Sequence, residues 1–312
     1  MCDEIRELGF EAIEASHGLS LSLMPGIIKA VEEKRIRVEG VHNFCPAPLD
    51  VAGDNPDAYQ LTSYRKDERE RAMRLTKETL QVAERLGARY VVLHMGSVHT
   101  FLRKQATRVL QRMARHGYVG TERYATLKNK LVDERYRQSS LYMGRVREAL
   151  HELAEDAAKR GLVLGVEGRS HFEQMPGETE MYALMEEFKD DPHVMYWHDF
   201  GHIQRKHNLL LLNHEQHLRR LKPKLFGAHV NDVQWPQRDH RAPYMGGDVD
   251  FDTLVPRFFT QEMPLTWELS SSVTKEDILT AKERWDEMLK GVPSAYCRRC
   301  HLHDRSCGEE PE

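Results

Sequence analysis

Apolar, β-branched and aromatic residues gather in seven short runs: FEAIEA (10–15), IRVEGVHNF (36–44), ARYVVLHMG (88–96), LVLGVEG (162–168), VMYWHDFG (194–201), LFGAHVND (225–232) and LTWELS (265–270). Bounded by Gly, Pro or Asp, runs of this length and make-up predict β-strands. Longer stretches between them mix charged and apolar residues at helical spacing. In ERERAMRLTKETLQVAERLG (68–87), Met73, Leu75, Leu80, Val82 and Leu86 recur at roughly the helical period, and Gly87 marks the stop.

Strands that alternate with helices imply parallel pairing, because a parallel partner is reached only by a crossover. Seven strands fall one short of a (β/α)8 barrel. The stretch DEIRELGF (3–10) reads as the first helix, so the opening strand is expected to be absent from this chain. A doubly wound open sheet is the competing architecture, but no Gly-rich phosphate loop follows any of the strands. The expected fold is therefore a (β/α)8 TIM barrel over residues 1–293 that lacks its first strand. Residues 97–160 leave from the strand ending near His94 and are too many for one crossover helix, which predicts a helical insertion in the form of a hairpin. Residues 294–312 form a Cys-rich tail expected to be flexible.

Composition narrows the function classes. At 312 residues with 40% hydrophobic content the chain can bury a large α/β core. Its 45 basic and 49 acidic residues give a net charge of −4, which writes no general attraction to nucleic acid or membrane into the surface. The start MCDEIRELGF does not have the form of an export signal, and the longest aliphatic run (209–212) is far below the ~18 residues of a membrane span. A cytoplasmic protein is expected. Only Cys2 and Cys45 precede residue 297, which argues against a disulfide framework.

Four successive strand runs end in a metal-capable residue: Glu167, Asp199, His229 and Glu268. In a barrel the C-terminal strand ends ring one mouth, where such enzymes place their chemistry. Any one of the four can be read as a polar residue closing a strand, but four in succession point to a shared ion. Three carboxylates and an imidazole suit one divalent Mn, Mg, Co or Zn ion.

Read in order, VEGRSHFEQMP, WHDFGH, HVND, GGDVDF and WELSSS resemble the sugar phosphate isomerase/epimerase family, the xylose isomerase-like barrels that include ketose 3-epimerases. The resemblance runs from about Gly9 to Leu289. It implies that Glu167, Asp199, His229 and Glu268 hold the metal and that Glu173 and His202 contact substrate oxygens, while His198 packs or orients a neighbour. A divalent ion on adjacent sugar oxygens eases removal of a proton from the neighbouring carbon, and a carboxylate must take it. Two carboxylates on opposite sides invert the centre, whereas one can shuttle the proton between adjacent carbons. Glu167 and Glu268 are the expected pair, and pure metal ligation without proton transfer is the alternative role for them.

His42 and His94, which also end strands, together with Asp239 and His240 are similar to another branch of the superfamily, the endonuclease IV-like apurinic endonucleases with three zinc ions. Against that reading, the surroundings of Glu167 do not match the branch, the order Asp239-His240 departs from its Asp-x-His spacing, and the surface is not basic. In the isomerase-like branch these four residues would contact substrate. A non-catalytic sugar-binding barrel is a further alternative. The implied partner is a small sugar or sugar phosphate, with no membrane and no nucleic acid, and the resemblance makes a homo-oligomer plausible.

Three other features carry weaker signals. Lys104, Arg108, Arg112 and Arg115 share a helix face in the insertion, either a solvated stripe or an attraction for a substrate anion. Ser270, Ser271, Ser272 and Thr274 precede the stretch KEDILTAKERWDEML, where capping is favoured over phosphate binding. Cys297, Cys300 and Cys307 with His301 or His303 could supply zinc ligands, against a default of an incidentally Cys-rich tail.

Overall fold

The computed structural model describes residues 1–51, 55–98, 106–236 and 238–294. The Cys-rich tail after 294 and Lys104 therefore lie outside the described residues. Helix α1 (Cys2–Glu7) opens the chain, as DEIRELGF predicts. There follow β1 (Ala12–Ala15), α2 (Met24–Glu32), β2 (Arg37–His42), α3 (Lys66–Leu86), β3 (Tyr90–Leu93), α4 (Ala106–Arg115), α5 (Glu122–Lys159), β4 (Val163–Glu167) and α6 (Glu178–Glu187). The second half contains β5 (Val194–Asp199), α7 (Phe200–Asn208), α8 (His214–Leu221), β6 (Leu225–Val230), β7 (Asp232–Gln234), β8 (Arg238–Arg241), α9 (Phe251–Phe258), β9 (Leu265–Trp267) and α10 (Lys275–Leu289).

Seven parallel strands pair in the order β1-β2-β3-β4-β5-β6-β9, a near-closed barrel one strand short of eight. All seven predicted runs contain a strand, each shorter than the run because the polar C-terminal ends leave the ladder for the mouth. Side chains span the seam between the outer strands: the ring of Phe10 lies 5.3 Å from that of Trp267, and His229 on β6 reaches Glu14 on β1. The barrel interior is filled by rings set against glycines. Tyr90 and Trp197 stack at 4.4 Å, and a Cβ on Gly40 would lie 2.1 Å from the Tyr90 ring, one on Gly227 2.6 Å from Trp197. The glycines in these strands make room for the aromatic layer.

Helix α3 buries Ala72, Thr76, Leu80 and Ala83 on one face and stops at Gly87, whose φ of +71° is a left-handed cap that costs glycine little. The insertion is a helical hairpin as expected, but its second arm is 38 residues long. The far half of α5 packs Tyr142, Val146, Leu150 and Leu153 on the barrel core. The near half puts Tyr124 into a satellite cluster with Leu110, Phe172 and Leu209 beside the mouth. One helix thus serves as crossover and rim, which explains the segment's length. Buried Arg135 fastens the rim by donating to the carbonyls of Phe172 and Gln174 and pairing with Glu180. The antiparallel hairpin β7-β8, absent from the sequence expectation, folds across the mouth. Its anchor is Asp232, which accepts from the Val233 and Val249 amides. No described helix is long and apolar enough to cross a membrane.

Candidate metal centre

Strands β4, β5 and β6 and the residue just after β9 deliver Glu167, Asp199, His229 and Glu268 to one mouth. Register sets the neighbourhood: Asp199 pairs with His229, while Glu167 pairs with Trp197 two residues earlier on β5, the stagger of tilted barrel strands. Ligand atoms of buried Glu167, Asp199 and His229 lie within 4.8 Å of one another. Glu268 enters on the His229 side, with Oε2 3.2 Å from Nδ1.

These residues fit a divalent ion on two grounds. His229 Nδ1 and Glu268 Oε2 are buried and face each other at 3.2 Å without a hydrogen bond of good geometry, a pairing that a cation between the carboxylates and the imidazole would complete. The other nitrogen of His229, Nε2, donates to Glu14 Oε1 at 2.9 Å. That bond places a hydrogen on Nε2 and leaves Nδ1 as the atom that would bind a metal in exchange for its proton, the carboxylate–histidine arrangement common around zinc and its relatives. Asp199 has two tasks: Oδ1 accepts from the His202 amide at 2.6 Å and caps α7, while Oδ2 accepts from Asn231 at 3.1 Å.

Cations surround both glutamates. Burial would raise the Glu167 carboxyl, but the charges of His94 and Arg169 and hydrogen bonds from His202 and His42 hold it well below the usual carboxylate range. Enclosure likewise opposes ionisation of Glu268, and His229 and His240 overcome it. Glu268 nevertheless stays 30% accessible through atoms other than Oε2, whereas Glu167 is 1% accessible. Despite its own burial, His240 is pushed up to about 10 by Asp239 and Glu268.

The mouth contains more than the four expected ligands. His42, His94 and Glu167 form a second group within 4.8 Å, and Asp199, His202 and His240 a third. His202 Nδ1 is 2.8 Å from Glu167 Oε1, so it lies against the centre. Asp239 and His240 arrive on β8, with Asp239 paired to Arg205 and His240 Nε2 3.6 Å from Glu268. Glu173 is not in any of these groups; its carboxyl accepts from Thr107 of α4, and burial raises it. His198 faces away from the mouth into a hydrogen-bonded network with Tyr196 and His214.

Four contributors carried little signal in the sequence. Glu14 sits inside a strand run where an acidic residue reads as solvent-facing, and His17 follows that strand with its ring 4.5 Å from that of His42. Arg169, two residues past Glu167, bonds Asp57 from the loop after β2. Asp57 had no local signal, since only the fold brings that loop to the mouth. The basic stripe on α4 is exposed at Arg108, Arg112 and Arg115, with no ion pair to any of the three among the described residues. Thr274 caps α10 by accepting from the Asp277 amide, the role favoured for that hydroxyl.

The architecture is similar to solved structures of low sequence identity. A 3-keto-D-glucoside 4-epimerase from E. coli aligns at 15% identity over 92% of each chain with a TM-score of 0.63. A D-tagatose 3-epimerase-like protein aligns at 16% identity over 92% of this chain and 91% of that one, also at 0.63. The D-psicose 3-epimerase of Clostridium cellulolyticum H10 aligns at 13% identity over 92% of each chain at 0.59. No curated protein matches the sequence. The family model of the xylose isomerase-like TIM barrel matches residues 2–289, which span every strand and helix described above, and the chain belongs to that family.

Proposed function

We propose that the chain is a metal-dependent isomerase or epimerase of a sugar, sugar phosphate or related keto-sugar. The observation that supports this reading is the convergence of buried Glu167, Asp199 and His229 within 4.8 Å of one another at the barrel mouth, with Glu268 Oε2 3.2 Å from His229 Nδ1. Glu167, Asp199, His229 and Glu268 would hold one Mn, Mg, Co or Zn ion. When bound, such an ion polarises a carbonyl and lowers the cost of removing the neighbouring C–H proton.

The chain's own groups supply the rest. Glu167 and Glu268 are both held ionised, so each is in the form that accepts a proton. They rise from strands with β5 and β6 between them and so flank the mouth from different sides. Glu268 is the freer base, because His42, His94 and His202 already engage the oxygens of Glu167. His42, His94, His202, Asp239 and His240 line the same mouth and would bind substrate oxygens. Glu173 stands at its edge with a carboxyl shared with Thr107. Sugar epimerases among the fold neighbours support the same class of substrate.

Exchange of substrate C–H protons with heavy water, followed over a panel of ketoses and their phosphates with each metal, tests the reading. Glu268→Gln is expected to slow exchange about 10²–10⁴-fold, the usual contribution of a positioned base. Exchange that survives this substitution unchanged refutes the assignment. An apurinic endonuclease is the second reading, favoured only by the two further ligand groups around His42 and His240. Metal-dependent nicking of abasic DNA without any sugar exchange would establish it instead.

A further inference from the structure

His94 Nδ1 faces Asp57 Oδ1 at 3.1 Å. An ionised carboxylate only accepts, so Nδ1 carries a hydrogen. On the other side of the ring Nε2 lies 2.7 Å from Glu167 Oε2, and His42 Nε2 lies 3.3 Å from the same oxygen. Two ring nitrogens converging on one carboxylate make a ligand set, and the chain sets a cation of its own among them. Arg169 Nη1 contacts His94 Nε2 and lies 3.4 Å from Glu167 Oε1, while Nη2 donates to Asp57 Oδ2 at 2.8 Å. Gln174 steadies the same Asp57 oxygen at 3.3 Å. The Arg169 side chain is only 8% accessible, and a guanidinium keeps its charge even when buried.

We propose that Arg169 is a resident cation that holds the place of a second divalent ion among His42, His94 and Glu167. The inference rests on the one-metal reading above and goes beyond it. Asp57 grips both His94 and Arg169, so the loop after β2 sets the cation's position. The consequence is a choice of chemistry. Phosphoester cleavage by paired metals needs two ions about 3.5–4 Å apart, and a guanidinium wedged beside Glu167 denies the second one its ligands. What remains is a single Lewis acid with a fixed hydrogen-bond donor next to it, an arrangement suited to proton transfer on a polyol.

Metal stoichiometry decides it. The full chain, stripped with chelator and titrated with Mn²⁺, should bind one ion and give the paramagnetic resonance signal of an isolated ion. The double substitution Arg169→Ala with Asp57→Ala removes both partners of the ion pair together, so neither is left without the other. It should bind two ions with an exchange-coupled signal, and adding His94→Ala should return the count to one. Should the double variant lose its wild-type circular dichroism, Arg169→Gln keeps a donor for Asp57 and carries the same expectation. Two ions in the wild type, or one ion in a folded Arg169 variant, would overturn the inference. No ion in the wild type is a different result, because it removes the one-metal reading itself.

Discussion

At the barrel mouth, His229 and His240 lie against carboxylates; behind it, His198, His214 and His217 form a buried network anchored by tyrosines and amides. Burial opposes charge in both places. At the mouth Glu268, Glu14 and Asp239 reverse it, so His229 and His240 are raised. In the network nothing reverses it: burial and neighbouring histidines lower His198 and His214, while burial and Lys206 bring His217 to about 3. The hydrogen bonds explain why. Asp248 can only accept from Asn208, which fixes the Asn208 amide, then that of Gln204, and then the tautomer of His214. From there His198 donates to His214, Tyr196 to His198, His217 to Tyr196 and Tyr182 to His217, all at 2.8–3.0 Å. Every ring nitrogen in that chain already gives or takes one bond, so each imidazole is neutral and a further proton would break it. A buried histidine is thus a site residue or a scaffold residue according to the carboxylate beside it.

Three variants test this contrast. The largest effect is expected for Glu14→Gln, which leaves His229 in place but weakens its outer partner. Metal affinity measured by competition with a chelator should fall about 10–100-fold. An unchanged affinity would place Glu14 outside the centre. Next is His217→Gln, expected to cost about 1–3 kcal/mol in denaturant unfolding by disturbing buried hydrogen bonds. The sign of its pH dependence follows from the lowered value. An unfolded histidine takes a proton near 6.5, whereas folded His217, facing Lys206, Glu178, Tyr182 and Tyr196, resists until about 3. Its stabilisation is therefore full above about pH 6.5 and is lost as the pH falls toward 3, so the variant should show a shallower acid decline. Equal slopes would mean the network does not stay neutral. Smallest is Arg108→Glu with Arg112→Glu on the solvated face of α4, where apparent substrate affinity should change less than about twofold at physiological salt. A larger loss would make that face part of the binding site.

Much of the barrel was legible because its signal is local. A parallel strand buried on both faces needs a short run of apolar residues, and a crossover needs a periodic helix, so seven strands and their connections can be read from patterning. The candidate ligands were legible for a related reason: a polar residue at the end of an apolar run is conspicuous. Within WHDFGH, however, His198 and His202 look alike. The alternation of side chains along β5 and the turn into α7 sent one into the scaffold and the other to Glu167.

The sequence by itself determined the strand–helix alternation, the helices between 106 and 159 and the polar residues that close the strands, since each depends on neighbours a few positions away. Only the tertiary structure decided that Glu14 supports His229 across the seam, that Asp57 and Arg169 meet over His94, and that Asp239 and His240 ride on a hairpin across the mouth. Those pairings join residues 37 to 215 positions apart. Barrel closure and the placement of loops fix such distances, and no periodicity in the chain encodes them.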